Sequence, residues 1–408
     1  MSHSHRQNDA LFKVYFYIIC FFPLFLGLVR PRNFSNDYSI EVNSQYAASI
    51  GQFYGMLGLF FIALLLVLNG FSISRTAFSR LWPVILFYLL AILSQWFSAV
   101  PTQDRNLILP LIMFLPLILF KRINENTIIR SIQRVVIAYA LSSLAAIIIS
   151  PNWALESNYS GSILPGIDYR LHGMAVHANT LSGILIVYYA ILMFTNYRHR
   201  FFDTLIVTIA LILTQSKTSF VVVLVLYLLF KIINSEMYIR FSGFYRLVII
   251  SLILVPSFYI SQIIDGLESN NQFLGTLLAR QQLWQVSIDK WRDSPAFGYG
   301  PKFWDYDMSN EYFQTFGWNV PHAHNEFFQI LGSMGSFGIL ALIIFLILIV
   351  RLIYRSSHYQ DLLMVFLIMF IIRGTTEIPL RQFADSSYIF MFFFWCVILL
   401  VKDDRLNE

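Results

Sequence analysis

The sequence predicts an all-α integral membrane protein with about twelve transmembrane helices and a helical outer loop. Three observations carry this. First, the 408 residues are 57% hydrophobic and 12% charged, with a mean hydropathy of +0.63, whereas soluble domains carry about 25% charged residues. Second, the apolar residues fall into separate runs, many near the roughly 20 residues a spanning helix needs. Third, lysine and arginine concentrate in alternate connections. A soluble globular domain is excluded, and a net charge of +5 is too small to point to nucleic acid. The chain reads as one polytopic membrane domain over 1–408.

In order, the spans are 11–29, 50–71, 81–99, 107–120, 128–149, 180–195, 201–215, 218–234, 246–264, 336–354, 362–376 and 387–401. No cleavable signal pattern precedes the first, so it reads as an anchor. The fourth and eleventh are short, as tilted or partly interfacial helices are. Cys20 and Cys396 both lie inside apolar runs, so no disulfide is expected. With a cytoplasmic N-terminus, the inner connections hold Arg75, Arg80, Lys121, Arg122, Arg198, Arg200, Arg351 and Arg355, among others. The short outer ones hold only Arg30, Arg32, Arg105, Lys217 and Arg381. The positive-inside rule then puts both termini in the cytoplasm. Two long segments face outward, 150–179 and 265–335.

The second outer segment has helical order. In "LLARQQLWQVSIDKWRDSP" (277–295), Leu277, Arg280, Trp284, Ile288 and Trp291 recur at helical spacing, and Ser294-Pro295 ends the pattern. A Trp-bearing amphipathic helix of this kind suits a membrane surface. "FGYGP" (297–301) then turns the chain.

Polar groups beside lipid are expensive unless they serve a purpose. "YRLHGMAVHANTLSG" (169–183) gathers Arg170, His172, His177 and Asn179 where an outer loop meets the sixth span; the plain alternative is a loop with an N-cap. "LTQSKTSF" (213–220) puts Lys217 in the shortest outer turn, as an anion ligand or a snorkelling helix-end lysine. Arg280 shares a face with Trp284, and the alternative is a solvated helix charge. "RGTTEIPLRQFAD" (373–385) holds Arg373, Glu377 and Arg381, as ligands or as an ion-paired loop. "HAHNEFFQILGSMGSFG" (322–338) places His322, His324, Asn325 and Glu326 before a glycine-punctuated span. It is either a capped helix start or a reaction centre, since a helix N-terminus suits a phosphate. His322-x-His324 could hold a metal, but no cysteine or nearby carboxylate completes a zinc set in the sequence. Asp305-Tyr306-Asp307 reads as an acidic loop.

His324-Asn325, nine residues, then Gly335-x-x-Gly338 resembles the signature of the O-antigen ligase and O-antigen polymerase superfamily. "RQQLW" (280–284) with "SPAFGYGP" (294–301), "RLHG" (170–173) with "HAN" (177–179), and "TQSKTS" (214–219) resemble its outer loops, so the likeness spans roughly 165–345. The resemblance implies a bacterial inner-membrane glycosyltransferase with a periplasmic active site and no metal or other cofactor. Its donor is a glycan on undecaprenyl diphosphate. Its acceptor is another lipid-linked glycan, for a polymerase, or lipid A-core, for a ligase. Membrane lipids and other polysaccharide-assembly proteins are the remaining partners. "RLHG…HANTLSG" with "TQSKTS" looks closer to the polymerases of O-antigen, capsule and exopolysaccharide.

The residues suit that chemistry. An outward site meets no nucleotide sugar, so its donor arrives lipid-linked and a diphosphate must leave. Arg170 and Arg280 offer permanently charged forks for it, with Lys217 as helper. His324 is the expected base for the acceptor hydroxyl, oriented by Asn325 or Glu326. His177, Asn179, Trp284, Arg373 and Arg381 are expected to line the diphosphate and glycan subsites, Trp284 as an aromatic platform. A flippase or exporter of lipid-linked glycan is the alternative of another class, but no two-half repeat is visible. A transporter would place its charges nearer the midplane.

Overall fold

A computed structural model describes residues 3–29, 40–68, 73–101, 105–120, 123–157, 162–164, 166–175, 177–195, 201–235, 272–304, 322–355, 359–380 and 390–401. The helices that fall on predicted apolar runs are α1 (His3–Val29), α2 (Ile40–Leu68), α3 (Arg75–Trp96), α4 (Arg105–Phe114), α5 (Glu125–Ile149), α7 (Ala178–Phe194), α8 (Phe201–Thr214), α9 (Lys217–Ile233), α11 (Glu326–Arg355), α12 (Gln360–Gly374) and α13 (Phe390–Ile398). A one-turn α6 (Pro151–Ala154) precedes β1 (Leu155–Glu156), which pairs antiparallel with β2 (Arg170–Leu171). The outer helix is α10 (Gln272–Asp293). Each predicted span thus coincides with a helix except 246–264, which lies outside the described residues. By length and composition, α3, α5 and α11 can each cross a membrane.

Local chemistry explains the shorter segments. α4 contains Pro110 and hands over to a 3₁₀ turn, Leu115–Leu119, where Pro116 falls at the start. Proline lacks the amide hydrogen that would continue the α ladder. The predicted break in 201–234 falls at Gln215, which adopts a left-handed φ of 51° between α8 and α9. α12 and α13 are short and buried almost all round, as helices at the centre of a bundle are. Cys20 and Cys396 are free and buried.

The bundle has two distinct ends. At one, the amide of Asn124 donates to Asp9 Oδ1 at 2.9 Å, capping α5 from α1. Arg80 there donates to the Leu399 carbonyl at 2.8 Å, closing the C-terminus of α13. At the other end, α3 runs into the 295–300 loop, with Ala99 N donating to Gly298 O at 3.0 Å.

That loop enters a break in α11. Gly335 takes φ 65° and ψ −160°, outside helical space. The loop replaces the lost helical bonds in both directions. Ser336 N and Phe337 N donate to the carbonyls of Pro295 and Ala296, both at 2.9 Å. Tyr299 N and Gly300 N donate to the carbonyls of Gly332 and Ser333, at 2.9 and 3.1 Å. Ser94 Oγ of α3 ties the junction by donating to Phe297 O and Met334 O, each at 3.1 Å. A helix can break at membrane depth only where the freed groups find such partners. The nine residues between Asn325 and Gly335 are therefore the half-helix between a cap and a break.

Candidate active site

The loop end of the bundle collects the N-termini of α7, α9 and α11 and the C-terminus of α12. Asn325 caps α11. Its Oδ1 accepts from Phe327 N at 2.9 Å and Phe328 N at 3.3 Å, and its Nδ2 donates to the Thr375 carbonyl at 3.3 Å. His324 lies just outside the helix at φ +50°, a region few non-glycine residues take. The turn is pinned on both sides of it. His322 Nδ1 accepts from His324 N at 3.1 Å, with the two rings 4.0 Å apart. Ala323 N donates to Gln329 Oε1 at 3.0 Å, and Ala323 O accepts from Trp284 Nε1 at 3.1 Å.

This corrects the expectation for Trp284. Its side chain is 2% exposed and stacks on Phe328 at 5.1 Å. A ring so covered holds the histidine turn and cannot serve as a sugar platform. Glu326 also differs from its expected part as orienter of His324, since its Oε2 accepts from Leu380 N at 2.9 Å.

Asn179 is the hub between the outer strand and α12. Its Oδ1 accepts from Arg170 Nη2 at 2.9 Å, and its Nδ2 donates to Glu377 Oε1 at 2.6 Å. Its carbonyl accepts from Arg373 Nη2 at 2.7 Å. Arg170 also pairs with Glu156, across the β1–β2 ladder, at 3.5 Å. Arg373 is buried and donates to Ser219 Oγ at 3.2 Å, reaching α9 past Gly183, where an added Cβ would come 3.1 Å from its Nη2. It ties α7 to α9, and is better placed for that than for the ligand contact expected of it.

His177 is the N-cap of α7, with Nδ1 accepting from Asn179 N at 3.1 Å. Burial, and then the Arg170 charge, lower its pKa from 6.5 to about 3. The unfolded chain therefore binds a proton below about pH 6.5 that the folded chain refuses until about pH 3. Stability should fall as pH drops through this window. His177→Asn keeps a capping side chain and should flatten the decline, measured as thermal midpoints of the detergent-solubilised protein against pH. An unchanged slope in His177→Asn would rule this source out.

Lys217 heads α9. Burial first, then Arg170 and Arg280, lower its pKa, so three cations share this end. Arg280 Nη1 donates to the Thr376 carbonyl at 3.3 Å. Between these groups and α11 lies Glu377, 2% exposed, its Oε2 3.8 Å from His324 Nδ1. Burial works to raise its pKa, but His324, then Arg373 and Arg280, hold it well below the usual carboxylate range.

Of the residues singled out from sequence, the fold brings together Arg170, His177, Asn179, Lys217, Arg280, His324, Asn325 and Arg373. Arg381 and the 305–307 acidic pair lie outside the described residues. Two residues were missed. Glu377 was read as part of an ion-paired loop. Gln215 clamps the loop leading to Arg170: its Oε1 accepts from Ser162 Oγ and Ile163 N at 2.5 and 2.9 Å, and its Nε2 donates to Tyr169 O. No spacing rule links either residue to its partners.

Glu377 also supplies the carboxylate that the sequence seemed to lack beside His322-x-His324. One ligand atom from each of the three lies within 4.8 Å of the others. The donor set suits a metal poorly. Ligation through His322 Nδ1 would displace the bond from His324 N, and the surrounding Arg280 and Arg373 charges oppose a dication. The arrangement sets cations and helix N-termini, which favour an anion, beside His324.

Compared with known proteins, residues 204–343 match the family described as O-Antigen ligase, and the match supports the O-antigen ligase and polymerase superfamily. No curated protein matches the chain.

Proposed function

We propose, from the match of residues 204–343 to the family described as O-Antigen ligase, that the chain is a membrane glycosyltransferase moving glycan from undecaprenyl diphosphate to an acceptor hydroxyl at the periplasmic face. The observation that carries this is the convergence of Arg170, Lys217 and Arg280 beside His324 at one end of the bundle. The cations hold the diphosphate. The acceptor oxygen forms a bond to the anomeric carbon as the carbon–oxygen bond to the diphosphate breaks. The diphosphate leaves with the electron pair, and His324 takes the hydroxyl proton before passing it to solvent. Attack opposite the leaving group inverts the anomeric centre. Charge stabilisation comes from fixed groups, so the reading requires no metal.

The topology proposed with it is about twelve crossings in the inner membrane, with both termini cytoplasmic. Gln282 is exposed on α10 and Asn126 is exposed at the opposite end of the bundle. With the native cysteines buried, Gln282→Cys should react with an impermeant maleimide added outside, and Asn126→Cys should not. The reverse pattern would put the site in the cytoplasm and overturn the reading.

Within the superfamily we favour a polymerase of lipid-linked repeat units, from the likeness of "RLHG…HANTLSG" and "TQSKTS" to that group. The alternative is a ligase acting on lipid A-core; the matched family is described as O-Antigen ligase, which leaves the two activities to be separated by experiment. A deletion strain separates them. Loss of a polymerase leaves single repeat units; loss of a ligase leaves long polymer on its lipid carrier and a bare core.

A further inference from the structure

Three of the histidines at the site are sorted by their contacts. His177 Nδ1 accepts from Asn179 N, and His322 Nδ1 accepts from His324 N, both at 3.1 Å. A ring nitrogen that accepts carries no proton, so these two neutral rings are protonated at Nε2. Their Nε2 atoms can only donate, and neither ring can act there as a base.

His324 is set differently. Its Nδ1 is 3.8 Å from Glu377 Oε2. Glu377 is fixed independently of His324, because its other oxygen accepts from Asn179 Nδ2 at 2.6 Å. Asn179 is in turn oriented by Arg170 Nη2 on its own oxygen, so its amide cannot turn over without losing both bonds. The backbone around His324 is equally constrained, by His322 on its amide and by Asn325 capping α11. At 3.8 Å the pair is an ion-pair contact, longer than a hydrogen bond; because a carboxylate only accepts, this contact favours a proton on the nitrogen that faces it.

We propose that Glu377 is a positioning residue that holds His324 in the Nδ1–H tautomer, leaving the Nε2 lone pair as the base of the site, while His177 and His322 serve as fixed Nε2–H donors. The proposal deepens the glycosyltransferase reading and rests on it for the role of the lone pair. The chain of contacts Glu156, Arg170, Asn179, Glu377, His324 then links the diphosphate arginine to the base. An enzyme whose arginine strand is misplaced would also lose its base orientation.

Glu377→Gln tests this sharply because the structure fixes how the amide must lie. Asn179 Nδ2 still needs an acceptor, so the Gln carbonyl oxygen faces Asn179 and its NH₂ faces His324. That NH₂ would donate to Nδ1 and drive the ring to the Nε2–H form. The logic is that of an acid-to-amide change behind a catalytic histidine, where the wrong tautomer removes activity.

The full-length protein, ¹⁵N-labelled at histidine and reconstituted in nanodiscs, is examined by nitrogen NMR, with His324→Asn to assign the signal. The expected wild-type ring is protonated at Nδ1 and bare at Nε2. Glu377→Gln should move the proton to Nε2 and lower transfer from a lipid-linked glycan by about 10²–10⁴-fold, with donor binding retained. Glu377→Asp should keep the Nδ1–H form and recover part of the rate. A wild-type His324 protonated at Nε2, or a Glu377→Gln protein with unchanged tautomer or near-normal transfer, overturns the proposal. If Glu377→Gln fails to fold, the wild-type and Glu377→Asp spectra still decide it. The tautomer needs no substrate, so an Nδ1–H ring in a protein that transfers no glycan would count against the transferase reading and not against Glu377.

Discussion

His324→Asn is expected to lower glycan transfer by about 10²–10⁴-fold, the range a positioned general base supplies, while lipid-linked donor binding stays near normal. The two properties separate because the residues do. Donor affinity is assigned to Arg170, Lys217 and Arg280, and proton removal to His324. Asparagine is the better probe than alanine, because φ is +50° here and asparagine tolerates the left-handed region. His324→Ala should lose transfer equally and add some instability. His322→Ala should be milder, since His322 accepts from His324 N to support the turn and is not assigned the base. Near-normal turnover in His324→Asn, scored with purified enzyme and lipid-linked donor, would reduce the residue to a part of the turn.

Gly335→Ala is expected to cripple folding without touching a ligand. An added Cβ would come 2.4 Å from Gly298 N and 2.6 Å from Ala296 O. Both are backbone atoms, and they cannot move without breaking the four bonds that replace the α11 ladder. Backbone at φ 65° and ψ −160°, a region kept almost wholly to glycine, adds roughly 1–3 kcal/mol for a residue with a Cβ, and overpacking typically adds about 1–3 kcal/mol. Gly374→Ala is the contrast, because an added Cβ there would meet Glu326 Cβ at 3.5 Å, an ordinary van der Waals contact. Thermal unfolding and yield after solubilisation should place Gly374→Ala close to wild type and Gly335→Ala well below both. Equal stability of Gly335→Ala and wild type would mean that the loop does not clamp the break.

These two residues also show what the sequence could and could not reveal. Hydropathy placed nearly every helix, because beside lipid each helix must satisfy its own backbone, and that requirement is written locally. The His324–Asn325 and Gly335–Gly338 spacing was visible too, as a cap before a glycine-punctuated span. What the glycine break receives was not: "SPAFGYGP" read as a turn, and its docking depends on where α10 delivers it. Trp284 misled for a related reason. An aromatic on an amphipathic face looks the same whether it meets sugar or Phe328. Glu377 and Gln215 were lost because their partners lie far off in the chain, at Asn179 and His324 for one and at Ser162 and Tyr169 for the other. Pairing across a bundle leaves no period to read.

The most direct measurement is single-turnover reaction of the purified full-length protein in proteoliposomes with a glycan on undecaprenyl diphosphate and its acceptor, following both products without nucleotide sugar. The account expects undecaprenyl diphosphate to be released in step with a new glycosidic bond, with loss of both in His324→Asn. Movement of the lipid-linked glycan between leaflets with no bond made and no diphosphate released would contradict it and favour a flippase.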